Sequence, residues 1–347
     1  MDEARKPKIR PLAPGDLEAV VALDAALSGR ARRGYFERRL AAALRQPALH
    51  IQFGVEAEGE LRGHLLARVL EGEFGRPRCA VRLEAIGVAG AARSAGVGRA
   101  LHAELEKEAV RRGCTAIRTG AFWREHAMLG FLDALGYRLA PALVLECALG
   151  EAPLGRGEAP AVSPAREPHG DPNDWSAPRA NDFEELARDR AELSSLAASD
   201  LEDLVRVDRH ITGRERREFM RHALEEALAE GGVRVSLLAR RDGIACGYVM
   251  ARADYGDYGR PEPVAVLDTI GVAPEYARQG IGRALLSQLF LNLAALGIER
   301  VETEVALESL GLVGFFRAAG FAPGERLAFV KPLGGRERFS SEEGAKA

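Results

Sequence analysis

The sequence predicts an α/β (α+β) protein of two similar units in tandem, each a mixed central sheet flanked by helices. Three observations carry this. With 347 residues, the chain exceeds one domain of about 150 residues and suits two. A series of residues recurs at one offset, 184: Asp24, Gly29 and Arg30 as Asp208, Gly213 and Arg214; Ile86-Gly87-Val88 as Ile270-Gly271-Val272; Gly96 and Gly98 as Gly280 and Gly282; Gly136 as Gly320. Within each copy, the apolar spacing passes from helical to strand period and back. The first copy is placed at 1–149 and the second at 191–335. Residues 150–190 hold Pro153, Pro160, Pro164, Pro168, Pro172 and Pro178 with few apolar residues, which predicts a linker. Residues 336–347 are polar and predict a frayed tail.

Each copy opens with two helices. Leu17, Val20, Val21 and Asp24, then Phe36, Leu40 and Leu44, fall at helical spacing, as do Leu201, Leu204 and Val205, then Met220, Leu224 and Leu228. A hairpin follows, Ile51–Val55 and Gly63–Val69 around Glu58-Gly59; Val233–Leu237 and Gly247–Ala251 repeat it around Asp242-Gly243. An apolar strand, Val81–Val88 or Val264–Val272, leads through a glycine-bearing turn into a long amphipathic helix that Gly113 or Gly297 stops. A strand, a helix ending at Gly136 or Gly320, and a last strand (Leu143–Cys147 or Leu327–Val330) complete each unit. The predicted order is ααβββαβαβ.

Chemistry concentrates in the glycine turn. The first copy reads Val88-Ala-Gly-Ala-Ala-Arg93-Ser94-Ala95-Gly96-Val97-Gly98-Arg99, the second Val272-Ala-Pro-Glu-Tyr-Ala277-Arg278-Gln279-Gly280-Ile281-Gly282-Arg283. Glycines let the backbone pass close to an oxyanion, and amides at a helix start carry partial positive charge, so the turn suits a pyrophosphate. Arg93, Arg99, Arg278 and Arg283 stand ready to add charge-assisted contacts. A dinucleotide fingerprint needs a third glycine where Leu101 and Leu285 stand, and no Gly-Lys-Ser/Thr string exists.

Arg93-Ser-Ala-Gly96-Val-Gly98 instead resembles the acetyl-CoA motif of the GNAT superfamily of N-acetyltransferases, Gln/Arg-x-x-Gly-x-Gly/Ala after a strand ending in Val. The second copy departs only in Ala277, and the resemblance spans both repeats. It implies two acyl-CoA N-acyltransferase folds. Backbone amides of Ser94 to Arg99 and of Arg278 to Arg283 would hold the CoA pyrophosphate, and Val88 and Val272 would flank the pantetheine arm. The implied reaction is direct attack of an amine on the acetyl thioester, which needs a base and a stabilised oxyanion. Family members often carry the base on the central strand; Glu84 and Asp268 hold equivalent places there, on the Val88 and Val272 face by alternation. The family's Tyr acid is replaced by Leu132 and Phe316, and its CoA-contacting Asn by Glu125 and Ser309. Tyr255 and Tyr258 offer the chemistry without the position.

Ser28-Gly-Arg30-Ala-Arg32-Arg33 and Thr212-Gly-Arg214-Glu-Arg216-Arg217 join the first two helices, the segment that lines the acceptor pocket in GNAT proteins. Arg30, Arg33, Arg214 and Arg217 are candidates to clamp an acceptor anion, with Arg68 and Arg252 as weaker ones. The alternative is surface arginines beside helix ends that Ser28 and Thr212 cap.

Composition sets the outer limits. Lys+Arg 48 against Asp+Glu 51 gives −3, unlike a nucleic-acid binder. No apolar run reaches about 20 residues, so no membrane span is expected, and the charged start predicts no secretory signal. Cys79, Cys114, Cys147 and Cys246 form no Cys-x-x-Cys pair and read as reduced in a cytoplasmic protein. The seven histidines show no ligand spacing, so no metal is expected. The expected partner is a small-molecule or peptide amine, met by a monomer or dimer, with neither nucleic acid nor membrane. The competing expectation is a CoA-binding sensor or interaction module in which one or both copies are catalytically silent.

Overall fold

The computed structural model describes residues 8–76, 78–149, 191–229, 235–254 and 264–334. The proposed linker 150–190, the tail 336–347, Tyr255 and Tyr258 lie outside these residues. In the first copy the order is β1 (Lys8–Pro11), α1 (Leu17–Ser28), α2 (Arg33–Arg45), β2 (His50–Ala57), β3 (Glu60–Leu70), β4 (Ala80–Val88), α3 (Val97–Arg111), β5 (Ala116–Phe122), α4 (His126–Ala134), β6 (Arg138–Leu139) and β7 (Ala142–Ala148). The second copy gives β8 (Glu192–Ser195), α5 (Leu201–Thr212), α6 (Arg217–Ala229), β9 (Leu237–Arg241), β10 (Ile244–Asp254), β11 (Val264–Val272), α7 (Ile281–Ala295), β12 (Arg300–Ala306), α8 (Leu310–Ala318), β13 (Ala322–Pro323) and β14 (Arg326–Pro332).

Two departures concern the first strands. Each copy opens with a strand that the sequence pattern missed: β1 pairs antiparallel with β2, and β8 with β9. Four residues containing Lys8, Arg10 and Pro11 carry no apolar alternation, and at a sheet edge they need none. Of the hairpin strand expected at Val233–Leu237, residues 233 and 234 lie outside the described residues, and the observed strand begins at Leu237. The hairpin turns themselves are as expected: Glu58 and Gly59 have φ of 56° and 79°, Asp242 and Gly243 52° and 76°. Paired positive φ values are what a tight type I′ connection demands.

The last strands are exchanged. The first sheet runs β1-β2-β3-β4-β5-β14-β6 and the second β13-β7-β12-β11-β10-β9-β8. Thus β14 pairs with β5 along Arg326↔Phe122 to Pro332↔Ala116, while β7 joins β12. This corrects the assignment of each last strand to its own copy. Because the copies are duplicates, either strand offers the same apolar period to either sheet, and nothing local decides between them.

Each sheet is covered on both faces. In the first unit Leu101, Leu105 and Ala109 of α3 pack with Val81, Leu83 and Ile117 on one face. Val20, Tyr35, Phe36 and Leu40 of α1 and α2 pack with Leu66 and Ala85 on the other. Truncating Leu101 or Leu105, both without solvent exposure, to alanine costs roughly 2–5 kcal/mol. In the second unit Leu204, Val207, Met220 and Leu224 pack with Leu238, Tyr248 and Met250. Cys79 and Cys114 are disulfide-bonded with Cα atoms 4.7 Å apart, which corrects the expectation of four thiols. Their separation of 35 residues hid the pair, but the parallel starts of β4 and β5 lie side by side, with the Thr115 amide donating to the Cys79 carbonyl.

Candidate active site

The glycine turn occupies the place its sequence predicts. β4 ends at Val88, where the Ala89 amide donates to the Arg62 carbonyl. A 3-10 turn, Gly90–Ala95, carries Arg93, Ser94 and Ala95 to Gly96, whose φ of 77° and ψ of 8° require the left-handed region. The first intrahelical bond of α3 is Ala100 amide to Gly96 carbonyl, 2.9 Å. The amides of Val97, Gly98 and Arg99 therefore have no helical acceptor and point out of the helix start. The second copy repeats this: Gly280 has φ 84°, Ala284 donates to Gly280, and the amides of Ile281, Gly282 and Arg283 lead the helix. There Arg278 also has a positive φ, 62°, while the Gln279 side chain bonds Arg241 and the Glu275 carbonyl.

Gly98 serves packing as well as approach. A Cβ there would lie 3.2 Å from the Phe131 ring, and one on Gly282 would lie 3.2 Å from Phe315. Around the first helix start opens a cleft of about 510 Å³ lined by Leu27, Ile86 to Val88, Arg93, Gly96, Gly98, Arg99 and, from α4, Ala127, Met128 and Phe131. Arg93 and Arg99 are exposed, Arg99 also donating to the Ala134 carbonyl. An apolar trough with two cations and three free amides at one end suits a chain tipped with phosphates.

The sheet opens beside this cleft. β3 accompanies β4 as far as Val88, but β5 pairs with β4 only at Val81 and Arg82. Beyond that point Thr119 Oγ1 caps the Leu83 carbonyl at 3.0 Å and the strands part. The second sheet parts after Val266, with Thr303 capping Leu267. The backbone edge so freed, up to Val88 or Val272, can pair with an extended amide-bearing ligand.

Glu84 and Asp268 sit at this parting, each as the extra residue of a β-bulge: Leu66 faces Ala85 while Ala67 faces Leu83, and Met250 faces Thr269 while Ala251 faces Leu267. The bulge breaks strict alternation, which corrects their assignment to the Val88 and Val272 face. Val88 packs toward α3, whereas Glu84 is 1% exposed and meets Arg39 of α2 at 3.1 Å. Asp268 receives both Nε and Nη2 of Arg252, at 2.5 and 2.9 Å.

The arginine segments divide. Arg33 pairs with Glu18 at 2.5 Å and Arg217 with Glu202 at 2.8 Å, all four exposed. Arg30 and Arg214 are exposed and have no side-chain partner among the described residues. Ser28 and Thr212 do not cap the second helices; their hydroxyls bond Asp24 and Asp208 carbonyls at the ends of α1 and α5 and accept from the Arg30 and Arg214 amides. The repeated Asp is structural. Asp24 takes a bidentate bond from Arg32 at 2.8 and 2.5 Å, a buried pair, and Asp208 one from the half-buried Arg216, with the Tyr248 hydroxyl donating to Asp208 at 2.9 Å. In place of Tyr248 the first copy has His64, whose pKa burial pushes down to about 4.

Leu132 and Phe316, where the family's Tyr acid would stand, are core residues without exposure. One group escaped the sequence reading of this site. Arg326, from the exchanged β14, donates to the Gly120 carbonyl at 3.0 Å and lies 5.7 Å from the Phe122 ring. Glu125, at the N-cap of α4, has its carboxyl pKa raised by burial, against the opposing Arg326 charge and a bond from the Phe122 backbone. No local signal links positions 125 and 326.

Comparison with known proteins agrees with this architecture. The family model for the acetyltransferase (GNAT) family matches residues 20–137 and 184–321. A tandem GNAT protein from the clavulanic acid biosynthesis pathway superposes with TM-score 0.62 at 18% identity, over 96% of this chain and all of that one. A GCN5-related N-acetyltransferase from Sphaerobacter thermophilus gives 0.55 at 17%, over 95% and 96%. A glucosamine N-acetyltransferase region of a fungal multi-domain GH3 beta-N-acetylglucosaminidase gives 0.58 at 13%, over 94% of this chain but only 38% of that one. No curated protein matches this chain. The chain belongs to the GNAT acetyltransferase family, in which it carries two copies of the fold in tandem.

Proposed function

We propose that the protein transfers an acetyl group from acetyl-CoA to an amine, with the first copy as the reacting one. The observation that carries this is the 510 Å³ cleft ending on the free amides of Val97, Gly98 and Arg99. In this reading those amides, with Arg93 and Arg99, take the diphosphate, and the freed edge at Val88 takes the pantetheine amides. Glu84, turned by its bulge toward the helix pair with Arg39 at 3.1 Å, receives the proton of the attacking amine through water. The acceptor is a small-molecule or peptide amine, and Arg30, the unpaired cation of the α1–α2 segment, favours one carrying an anionic group. No metal enters the scheme. We place the reaction in the cytoplasm.

The test has two arms. Calorimetry with acetyl-CoA measures binding, and thiol release across an amine panel measures transfer. Binding with turnover on at least one amine is expected; no binding defeats the proposal. A silent, CoA-binding second copy is the reading that Ser309 and the buried Phe316 favour for that half.

A further inference from the structure

The exchanged strands occupy equivalent places. In the first sheet the Leu333 amide donates to the Thr115 carbonyl; in the second, at the offset of 184, the Leu149 amide donates to the Glu299 carbonyl. So β7 holds in the second sheet the register that β14 holds in the first. Charge is arranged differently on the two: β14 reads Val330-Lys331 where β7 reads Glu146-Cys147.

Each of these charges meets its partner in the sheet it has crossed to. Lys331 donates to the Glu106 carboxylate on α3, which also lies 2.9 Å from His102 Nδ1, and His102 Nε2 meets the Tyr137 hydroxyl at 2.8 Å. In the second copy the places of His102, Glu106 and Tyr137 hold Leu286, Phe290 and Phe321, all buried, and Cys147, buried too, stands where Lys331 would. Glu146 is buried and pairs with Arg300 at 2.7 Å, whereas the first copy has Ala116 at the place of Arg300. A third pair, Glu325 with Arg124 at 2.7 Å, is exposed and adds little. Were each strand to return to its own copy, Lys331 would stand before Phe290, Glu146 beside Ala116, and Glu325 near Glu308. Taking an ammonium and a carboxylate out of water without an opposite charge is costly, so the returned arrangement is penalised at both strands.

We propose that these charges select the strand exchange: Lys331 fits β14 to the first sheet and Glu146 fits β7 to the second, where apolar periodicity admits either. The sheet that carries the 510 Å³ cleft is thereby completed by the last strand of the chain.

The test swaps the two dipeptides in the full-length protein, with Glu146→Val and Cys147→Lys on β7 and Val330→Glu and Lys331→Cys on β14. A carbodiimide, which joins a lysine amine to a carboxylate in contact with it, is followed by peptide mass spectrometry. The wild type is expected to give a cross-link between Glu106 and Lys331. In the swapped protein the cross-link is expected to run from Glu106 to position 147, because each strand then matches its own copy. A wild type without the Glu106–Lys331 cross-link overturns the proposal, as does a folded swapped protein in which position 147 is not joined to Glu106. If the swapped protein does not fold, a charge reversal decides. Lys331→Glu is expected to lower Tm by about 5 °C, and Glu106→Lys combined with Lys331→Glu to recover at least half of that shift; no recovery overturns the proposal.

Discussion

Replacing Gly98 by aspartate puts the phosphate reading under the most strain. The new Cβ points along the line that ends 3.2 Å from the Phe131 ring, on the wall of the cleft. A carboxylate there meets the diphosphate at roughly 5 Å; with an effective dielectric constant of about 20, one facing charge pair costs about 3 kcal/mol. That is about a hundredfold in Kd, before any displacement of Phe131. The same carboxylate sits near a helix start, where negative charge is favourable, so the fold should lose little. Calorimetry is expected to show loss of the first-copy site, and thermal melts a small shift. Gly282→Asp, at 3.2 Å from Phe315, reports the second site separately. A folded Gly98→Asp protein with unchanged affinity and stoichiometry would refute the reasoning.

Four further outcomes follow from the same geometry. Glu84→Gln should lower turnover at least tenfold with CoA affinity intact; unchanged turnover removes Glu84 as base. Arg32→Ala leaves Asp24 charged and buried, and should destabilise the first unit by about 3–5 kcal/mol in denaturant melts; a change below 1 kcal/mol contradicts the ion pair's role. His64 has a folded pKa of about 4 against about 6.5 unfolded, so the unfolded chain binds the extra proton between these values. Stability present above pH 6.5 should therefore fall by about 3 kcal/mol toward pH 4, and His64→Tyr, the residue of the second copy, should flatten that slope in pH-dependent melts. Because each sheet holds a strand from the other copy, a protein cut at a protease site engineered into 150–190 should elute as one species; halves that separate without denaturant contradict the exchange.

Much of the fold was legible because its signals are local and appear twice. Gly59, Gly96 and Gly29 stand where positive φ values are needed, and the leucines of α3 and α7 keep helical spacing. What escaped was set by partners distant in sequence. Glu84 looks like a regular strand residue until the bulge turns it, and that bulge is a property of the β3 pairing rather than of β4 alone. Glu18 and Glu202, 15 residues from Arg33 and Arg217, meet them only once the helices pair. Arg326 could not be assigned to the first site, since identical periodicity in both last strands leaves the exchange undetermined.

A crystal structure of the protein with acetyl-CoA bears most directly on the central claim. The diphosphate is expected on the amides of Val97, Gly98 and Arg99, with the arm running along Val88 toward the parted strands. CoA bound elsewhere, or a diphosphate more than hydrogen-bond distance from all three amides, would contradict the account.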